Sequence, residues 1–406
     1  MKNKMDIIYL SQSCSKTKFE QLQKTGINRD VPQAQKYHRL LIEGIAKNIN
    51  GHVYAISAYP TNRNWTKKLF FPFHSETMRN ITYIYLPFIN YPILRQLCLF
   101  ISSKLQIRKC LLTNPECYII CDIWNQVFAD AARITGRKNN RPVIGIVTDV
   151  PGHRSDAYQN TCITIKNLLK CYIEKRTVKN MQKYDGYLLL TEEMNSVVNP
   201  NQKPHIVLEG HADETMKKIT NLQSNKSFPK IMIYAGTVHR EYGIPEIVQA
   251  FVAGHYENWE FHLYGKGNYS DELEKISNQE KCIRYWGLVS NSRIVEEQIK
   301  ANLIVNPRPI SADYVKYSFP SKTLEAMVSG TPLLTTRLPG MPSDYYPYVY
   351  LFNEDNISGY RQTLDNILKK DSYELYTKGL KAKEFVLNNK SNIAQGKKFC
   401  DFLNQM

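Results

Sequence analysis

The sequence contains no Cys-x-x-Cys pair, no Asp-x-Asp pair and no unbroken apolar run near the ~18 residues that would span a bilayer. The first absence removes a zinc ribbon. Because the nine cysteines are odd in number, a disulfide framework is not indicated either, and buried reduced thiols are expected. The third removes a membrane-spanning helix. The opening ten residues, with Lys2, Lys4 and Asp6, have too short an apolar core for a secretory signal, so a cytoplasmic protein is expected. Low-complexity composition is missing as well: 43% hydrophobic and 11% aromatic residues, with 19 Gly and 19 Pro, is the balance of a globular protein. Acidic residues are scarce relative to basic ones. The 37 Asp and Glu against 53 Lys and Arg leave a formal charge of +16, which favours an anionic partner without choosing among nucleic acid, acidic lipid and phosphorylated substrate.

At 406 residues the chain exceeds the ~250 to 300 at which a single core stops growing, so two domains are expected. Short β-rich runs at Asp6 to Ser11, Val53 to Ser57, Thr82 to Leu86, Cys117 to Cys121, Val143 to Thr148 and Tyr187 to Thr191 alternate with segments of helical spacing, such as Gln33 to Lys47, Trp124 to Thr135 and Leu168 to Lys183. This alternation predicts a parallel sheet covered on both faces. It stops after Ile206 to Gly210, where a polar stretch reads as a linker. A second series starts at Lys230 to Ala235 and continues through strands at Glu260 to Tyr264, Ile283 to Trp286, Leu303 to Asn306 and Pro332 to Thr335. Helices are predicted between them, including Ser321 to Ser329. The predicted organisation is a first domain over 1–213, a linker over 214–228, a second domain over 229–390, and a C-terminal helix over 391–406 that packs back toward the first domain. Ligands of such sheets bind outside the carboxyl ends of the strands, here in a cleft between two facing domains.

The most informative stretch is Tyr317 to Gly340. Pro320 suits a first helical turn, Ser321 can cap it, and the amides of Ser321, Lys322 and Thr323 then offer a positive helix end to a phosphate. Lys322 adds a full charge, and Glu325 is placed to accept from a ribose diol. A capped helix with a solvated Lys and Glu is the plain alternative. Gly265 and Gly267 follow a strand and precede a helix, which lets backbone approach a ligand, although an ordinary turn is the default reading. Gly236, Thr237 and Arg240 follow one strand and Arg308 another. The two arginines can meet a diphosphate or remain solvated loop residues. In the first half, Asp149 and His153 flank a turn at a strand end, where an Asx-type cap is the alternative, and Ser11-Gln12-Ser13 ends the first strand.

Taken in order, Gly236, Tyr264-Gly265-x-Gly267, Tyr285-x-Gly287-x-Val289, Asn306-Pro307-Arg308, Phe319-Pro320-Ser321-Lys322 with Glu325-Ala326-Met327, Gly330 and Pro332, and Leu338-Pro339-Gly340 resemble the donor domain of family 4 retaining glycosyltransferases. The likeness is to the bacterial surface-polysaccharide type, with Ile7 to Ser13, Gly145 to Pro151 and Val207 to Asp213 resembling that family's acceptor domain and hinge. The resemblance implies a GT-B fold, two doubly wound Rossmann-like domains facing across a cleft. It implies a retaining transfer of a hexose or related sugar from a nucleotide-diphosphate sugar to a glycan or polyprenyl-diphosphate-linked acceptor. Within that reading Leu288 and Val289 lie at the base, Glu325 at the ribose, and Ser321, Thr323, Lys322 and Arg308 at the diphosphate, with Tyr317, Ser318, Pro320 and Leu324 beside them. Asp149 and His153 are the first domain's catalytic candidates. No cofactor is implied, and the missing Asp-x-Asp pair fits an enzyme that needs no metal.

Two departures stand out. The family places two glutamates eight positions apart; Glu325 matches the second, but Tyr317 occupies the first position. Its Arg and Lys after the first strand of the donor domain fall on Thr237 and Tyr242, leaving Arg240, Arg308, Lys316 and Lys322 as substitutes. A non-catalytic binding or scaffold protein of the same fold is therefore the rival. A nucleic-acid binder has only the net charge in its favour and ranks last. Finally, Asn64 to Phe73 and Tyr91 to Lys109 mix large apolar residues with Lys67, Lys68, Arg95, Lys104, Arg108 and Lys109. Such segments suit an anionic membrane surface, or equally a core helix with a solvated basic edge, and the protein is expected in the cytoplasm or peripherally on the inner face of the plasma membrane.

Overall fold

The computed structural model describes residues 5–26, 33–150, 172, 176, 178–311 and 313–406. The chain divides into two compact units, Met1–His211 with Asn392–Met406, and Ala212–Ser391. In the first, eight strands among the described residues form one sheet. Its spatial order is His205–Val207, Gly186–Leu189, Val143–Val147, Tyr118–Asp122, Ile7–Leu10, Val53–Ser57, Ile81–Tyr85 and His74–Met78. Every pairing is parallel except the last. Ile7–Leu10 and Val143–Val147 are buried at every position, so neither shows the alternation of a half-exposed strand. The antiparallel edge strand His74–Met78 is polar and half exposed. Its sequence, His-Ser-Glu-Thr-Met, carries no apolar period to reveal it. The helix expected from Trp124 begins at Gln126, because the Asn125 side chain accepts from the Phe128 amide and sets the start.

The first unit is closed by its C-terminal helix, Asn392–Gln405, which lies along helix Gln33–Asn48. The two helices meet backbone to backbone at a pair of glycines. A Cβ on Gly44 would run into the Asn392 carbonyl, and one on Gly396 into the Gly44 backbone. Beside this crossing, Asn48 Nδ2 donates to the Ile393 carbonyl at 2.9 Å. Gly44→Ala is therefore expected to lower the unfolding free energy by ~1 to 3 kcal/mol, the usual cost of overpacking. Urea melts read this directly, and an unchanged midpoint would contradict the crossing.

The second unit holds a six-stranded, wholly parallel sheet. Its order is Ile283–Tyr285, Trp259–Tyr264, Lys230–Ala235, Leu303–Asn306, Leu333–Thr335 and Tyr350–Leu351. In chain order these are the third, second, first, fourth, fifth and sixth strands, the doubly wound pattern. Its direction reverses between Lys230–Ala235 and Leu303–Asn306, which makes the carboxyl ends of these two strands the place for a ligand. One face of the sheet packs Ile247, Phe251, Phe261 and Leu364, the other Ile304, Met327, Tyr345 and Val386.

The polar stretch expected as a linker over 214–228 is instead built into this second unit. Asn221 is buried and its Nδ2 donates to the Ser329 carbonyl at 2.9 Å and the Thr331 hydroxyl at 3.1 Å. The Lys226 ammonium reaches the carbonyls of Ile299 and Ala301. Polar residues here satisfy backbone groups at the base of a domain, which composition alone cannot distinguish from solvation.

Candidate functional site

At the reversal point the first strand of the second unit ends at Ala235 with Gly236 just beyond it, and the fourth runs into Pro307 and Arg308. A Cβ on Gly236 would fall on the Lys322 ammonium and stand 2.8 Å from the Tyr234 hydroxyl, so the glycine leaves the room that the lysine fills. The ammonium lies 5.8 Å from the Tyr234 ring centroid, and the Tyr234 hydroxyl donates to the Thr237 carbonyl at 2.7 Å. Burial chiefly pushes the Lys322 pKa down to about 8. The Glu325 carboxylate opposes that shift and the Arg308 guanidinium adds to it, so all three groups share one neighbourhood.

Arg308 lies 5.2 Å from the Tyr242 ring centroid. Tyr242, which stands where the resembling family has a lysine, thus offers its face to another cation. The loop is held from behind: Gly243 has φ 75°, a Cβ there would strike the Pro307 carbonyl, and the Tyr360 hydroxyl donates to that same carbonyl at 3.0 Å. The Thr336 hydroxyl donates to the Arg308 carbonyl.

Helix Ser321–Ser329 begins beside these cations. Pro320 takes the cap position with no side-chain hydrogen bond, and Ser321 is already helical, so the expected serine cap is not formed. Proline cannot cap. The Thr323 amide donates to the Pro320 carbonyl at 2.9 Å, so the amides of Ser321 and Lys322 are those left for an outside acceptor. Three buried polar atoms nearby, Asn306 Nδ2, Ser318 Oγ and Thr323 Oγ1, have no hydrogen-bond partner in the protein. Since buried polar groups are nearly always paired, water or a polar ligand is expected to complete each of them.

Other sequence candidates are placed differently. The gaps at Gly265, whose φ is 130°, and at Gly267 are filled by the carbonyls of Gly236 and Val238, so these glycines serve close packing of neighbouring loops. Leu324 points into the core. Arg240 is paired with Glu272 and lies 4.9 Å from the Tyr269 ring centroid, which engages it away from the cation pair. Lys316 covers the Tyr317 ring at 5.1 Å. Thr237 is exposed. Val289 packs against the core, while Leu288 is 79% exposed. Beside it Trp286, which the sequence reading passed over, is 54% exposed and stacks on Tyr264 at 6.2 Å and 10°. An aromatic residue directly before Gly287 was the available signal.

In the first unit Asp149 is exposed at the end of Val143–Val147, and its carbonyl accepts from Trp124 Nε1 at 3.2 Å. Trp124 follows Asp122, whose carboxylate accepts the Trp124 amide at 3.0 Å and lies 3.5 Å from His38 Nε2. His38 Nδ1 in turn is 2.8 Å from the Tyr9 hydroxyl. This buried chain fixes the strand end beside Asp149. His38, Asp122 and Trp124 are too far apart in sequence to read as one group. His153 lies outside the described residues.

Residues 229–370 match the family described as Glycosyl transferases group 1. Three solved structures share the fold over nearly whole chains. Sucrose-phosphate synthase from Thermosynechococcus elongatus is 15% identical with a TM-score of 0.63, covering 99% of each chain. α,α-Trehalose 6-phosphate synthase from Burkholderia multivorans is 11% identical at 0.63, covering 99% of this chain and 97% of that one. Anabaena HepE in complex with UDP-glucose is 11% identical at 0.58, covering 99% and 100%. No curated protein sequence is recognisably similar to this chain. The second unit thus carries the glycosyl transferases group 1 pattern, and the fold is the two-unit, Rossmann-like GT-B fold.

Proposed function

We propose that the protein is a retaining, metal-independent glycosyltransferase. It moves a hexose or related sugar from a nucleotide-diphosphate sugar, held by the second unit, to a glycan or polyprenyl-diphosphate-linked glycan in bacterial surface-polysaccharide synthesis, working from the cytoplasm. The observation that carries this reading is the Lys322 ammonium lodged over Gly236, with Arg308 near it, at an uncapped helix end on the sheet's reversal point. The family match and the UDP-glucose complex of HepE, a protein of the same fold, support it. The base lies against Leu288 and Trp286, the ribose hydroxyls donate to Glu325, and the diphosphate takes the helix-end amides with Lys322 and Arg308. As the carbon–oxygen bond to the diphosphate breaks, negative charge grows on the leaving group, and fixed cations and dipoles stabilise it without reorganising. The acceptor hydroxyl attacks from the leaving-group side and passes its proton to the departing diphosphate oxygen, so no protein nucleophile is required. The first unit, with Asp149 at its strand end, receives the acceptor.

Incubation with a panel of nucleotide sugars in the presence of a chelator tests this. Slow release of nucleoside diphosphate from at least one donor, undiminished by the chelator, is expected. A chain that binds donors and releases nothing would be the non-catalytic binder that Tyr317 and Thr237 suggest.

The lowered Lys322 pKa adds a pH signature. A diphosphate favours the ammonium, so above pH 8 the free protein has partly lost a proton that the complex regains. Calorimetry near pH 8.5 in buffers of different ionisation enthalpy is expected to show uptake of a substantial fraction of one proton per nucleoside diphosphate, vanishing below pH ~7 and in Lys322→Met. Uptake that persists in the variant would assign it elsewhere.

A further inference from the structure

Helix Pro92–Thr113 in the first unit is apolar on both sides. Leu99, Ile107, Cys110 and Leu111 are buried beneath it. On the outward side Ile93, Leu97, Ile101 and Leu105 recur every fourth residue and are each half exposed or more, and Leu112, a further two turns on, is 86% exposed. A surface helix ordinarily carries a polar outer face, whereas here aliphatic side chains flank the basic ones. The apolar stripe continues at the helix start. There a two-stranded ribbon, Phe70–Phe71 with Phe88–Ile89, pairs Phe70 with Ile89, and both side chains are exposed, as is Phe73. A contiguous apolar surface of this extent is a contact site in search of a partner.

Charge identifies the partner. From 60 to 115 the chain has eight Lys and Arg and a single acid, Glu76. Lys67, Lys68 and Lys109 are exposed, while Lys104 and Arg108 are partly buried and belong to the same outer side of the helix as Leu97 and Ile101. A second copy of the chain would bring like charge against like. Nucleic acid would need rings spaced along the surface for successive bases to stack on, whereas Phe70 and Phe73 sit together at the ribbon and the outer face of the helix offers aliphatic side chains. An anionic bilayer surface answers both features, since aliphatic and aromatic side chains enter the headgroup boundary and lysines and arginines meet lipid phosphates. The helix is ~33 Å long at 1.5 Å per residue, and no helix among the described residues is long and apolar enough to cross a membrane. It therefore lies in the plane of the interface.

We propose that the outer face of Pro92–Thr113, together with Phe70, Phe73 and Ile89, seats the protein on an anionic membrane surface, with its apolar side chains inserted and its basic side chains on lipid phosphates. The seat does not depend on the transfer reaction and is read out without any donor.

The test is co-sedimentation of the full chain with vesicles of equal parts phosphatidylglycerol and phosphatidylcholine, and with vesicles of phosphatidylcholine alone. Binding to the mixed vesicles at low salt is expected, at least ~10-fold stronger than to neutral ones, and falling by a similar factor at 1 M salt. Leu97→Glu with Ile101→Glu is expected to weaken it by on the order of 100-fold, and Lys67→Glu with Lys68→Glu by on the order of 10-fold or more. All four positions are exposed or nearly so, so the melting temperature and nucleoside diphosphate binding are expected to be unchanged. Wild-type chain that ignores anionic vesicles, or binds neutral ones equally, would overturn the proposal. So would self-association in light scattering that the Leu97→Glu, Ile101→Glu variant abolishes, since that would make the face a protein interface. Loss of donor hydrolysis with vesicle binding intact would sink the transferase reading and leave this one standing.

Discussion

Lys322→Met is expected to lower the turnover of sugar transfer by ~10² to 10³-fold while changing the KM for the donor much less, because the charge it meets is greatest when the leaving group departs. The geometry supports so large an effect. The ammonium has been given a place over Gly236, is held within reach of Arg308 and Glu325, and is partly stripped of water, as its lowered pKa records. Methionine nearly preserves length, so the loss reports charge rather than a hole. A control comes from linkage. With a folded-state pKa of about 8 against the ordinary 10.5, burying the ammonium costs stability in full below pH 8, and that cost fades as pH rises toward 10.5. The variant should therefore melt no lower than the parent at pH 7, so low activity cannot be assigned to unfolding. Arg308→Met should fall in the same direction, and Tyr242→Leu, which removes the ring beneath Arg308, by a smaller factor. Near-normal turnover in both cation variants would move the leaving group to Arg240 or Lys316 and require a different donor site.

The second large effect is expected at the ribose. Glu325→Gln keeps shape and removes charge, so the loss of a charge-assisted hydrogen bond should weaken nucleoside diphosphate binding by ~1.5 to 3 kcal/mol, about 10 to 100-fold. Because Glu325 also raises the Lys322 pKa, the same variant should shift the proton uptake to lower pH. A purely structural carboxylate would alter melting, and through Lys322 the proton uptake, without weakening binding. Calorimetry separates the two, and unchanged affinity for every nucleotide that binds the parent would remove Glu325 from the site.

Much of the fold was legible because parallel strands buried on both faces are written as short apolar runs. Val53–Ser57, Lys230–Ala235, Leu303–Asn306 and helix Ser321–Ser329 fall where periodicity and punctuation place them. What escaped had no apolar signature. The edge strand His74–Met78 is polar, and the stretch over 214–228 uses polar side chains inside a domain. At the candidate site, residue type and order pointed to Gly236, Lys322, Arg308 and Glu325, but the reasons for their positions did not show. That Gly236 is small to admit an ammonium, while Gly265 and Gly267 are small to admit carbonyls, depends on contacts across the sheet edge. The ring of Tyr242 beneath Arg308 likewise reads in sequence only as a missing lysine. The serine cap failed for a local reason, since Pro320 sets the helix start one residue earlier and leaves Ser321 inside it.

The central claim is that the reversal point of the second unit binds a nucleoside diphosphate through Lys322 and the bare helix end. Calorimetric titration of the full chain at pH 7 with UDP, GDP, ADP and TDP tests it most directly, with Lys322→Met titrated in parallel. Saturable binding of at least one of them is expected, weakened ~10-fold or more in the variant as a charge-assisted contact is lost. Absence of binding by all four, or equal affinity in parent and variant, would contradict it.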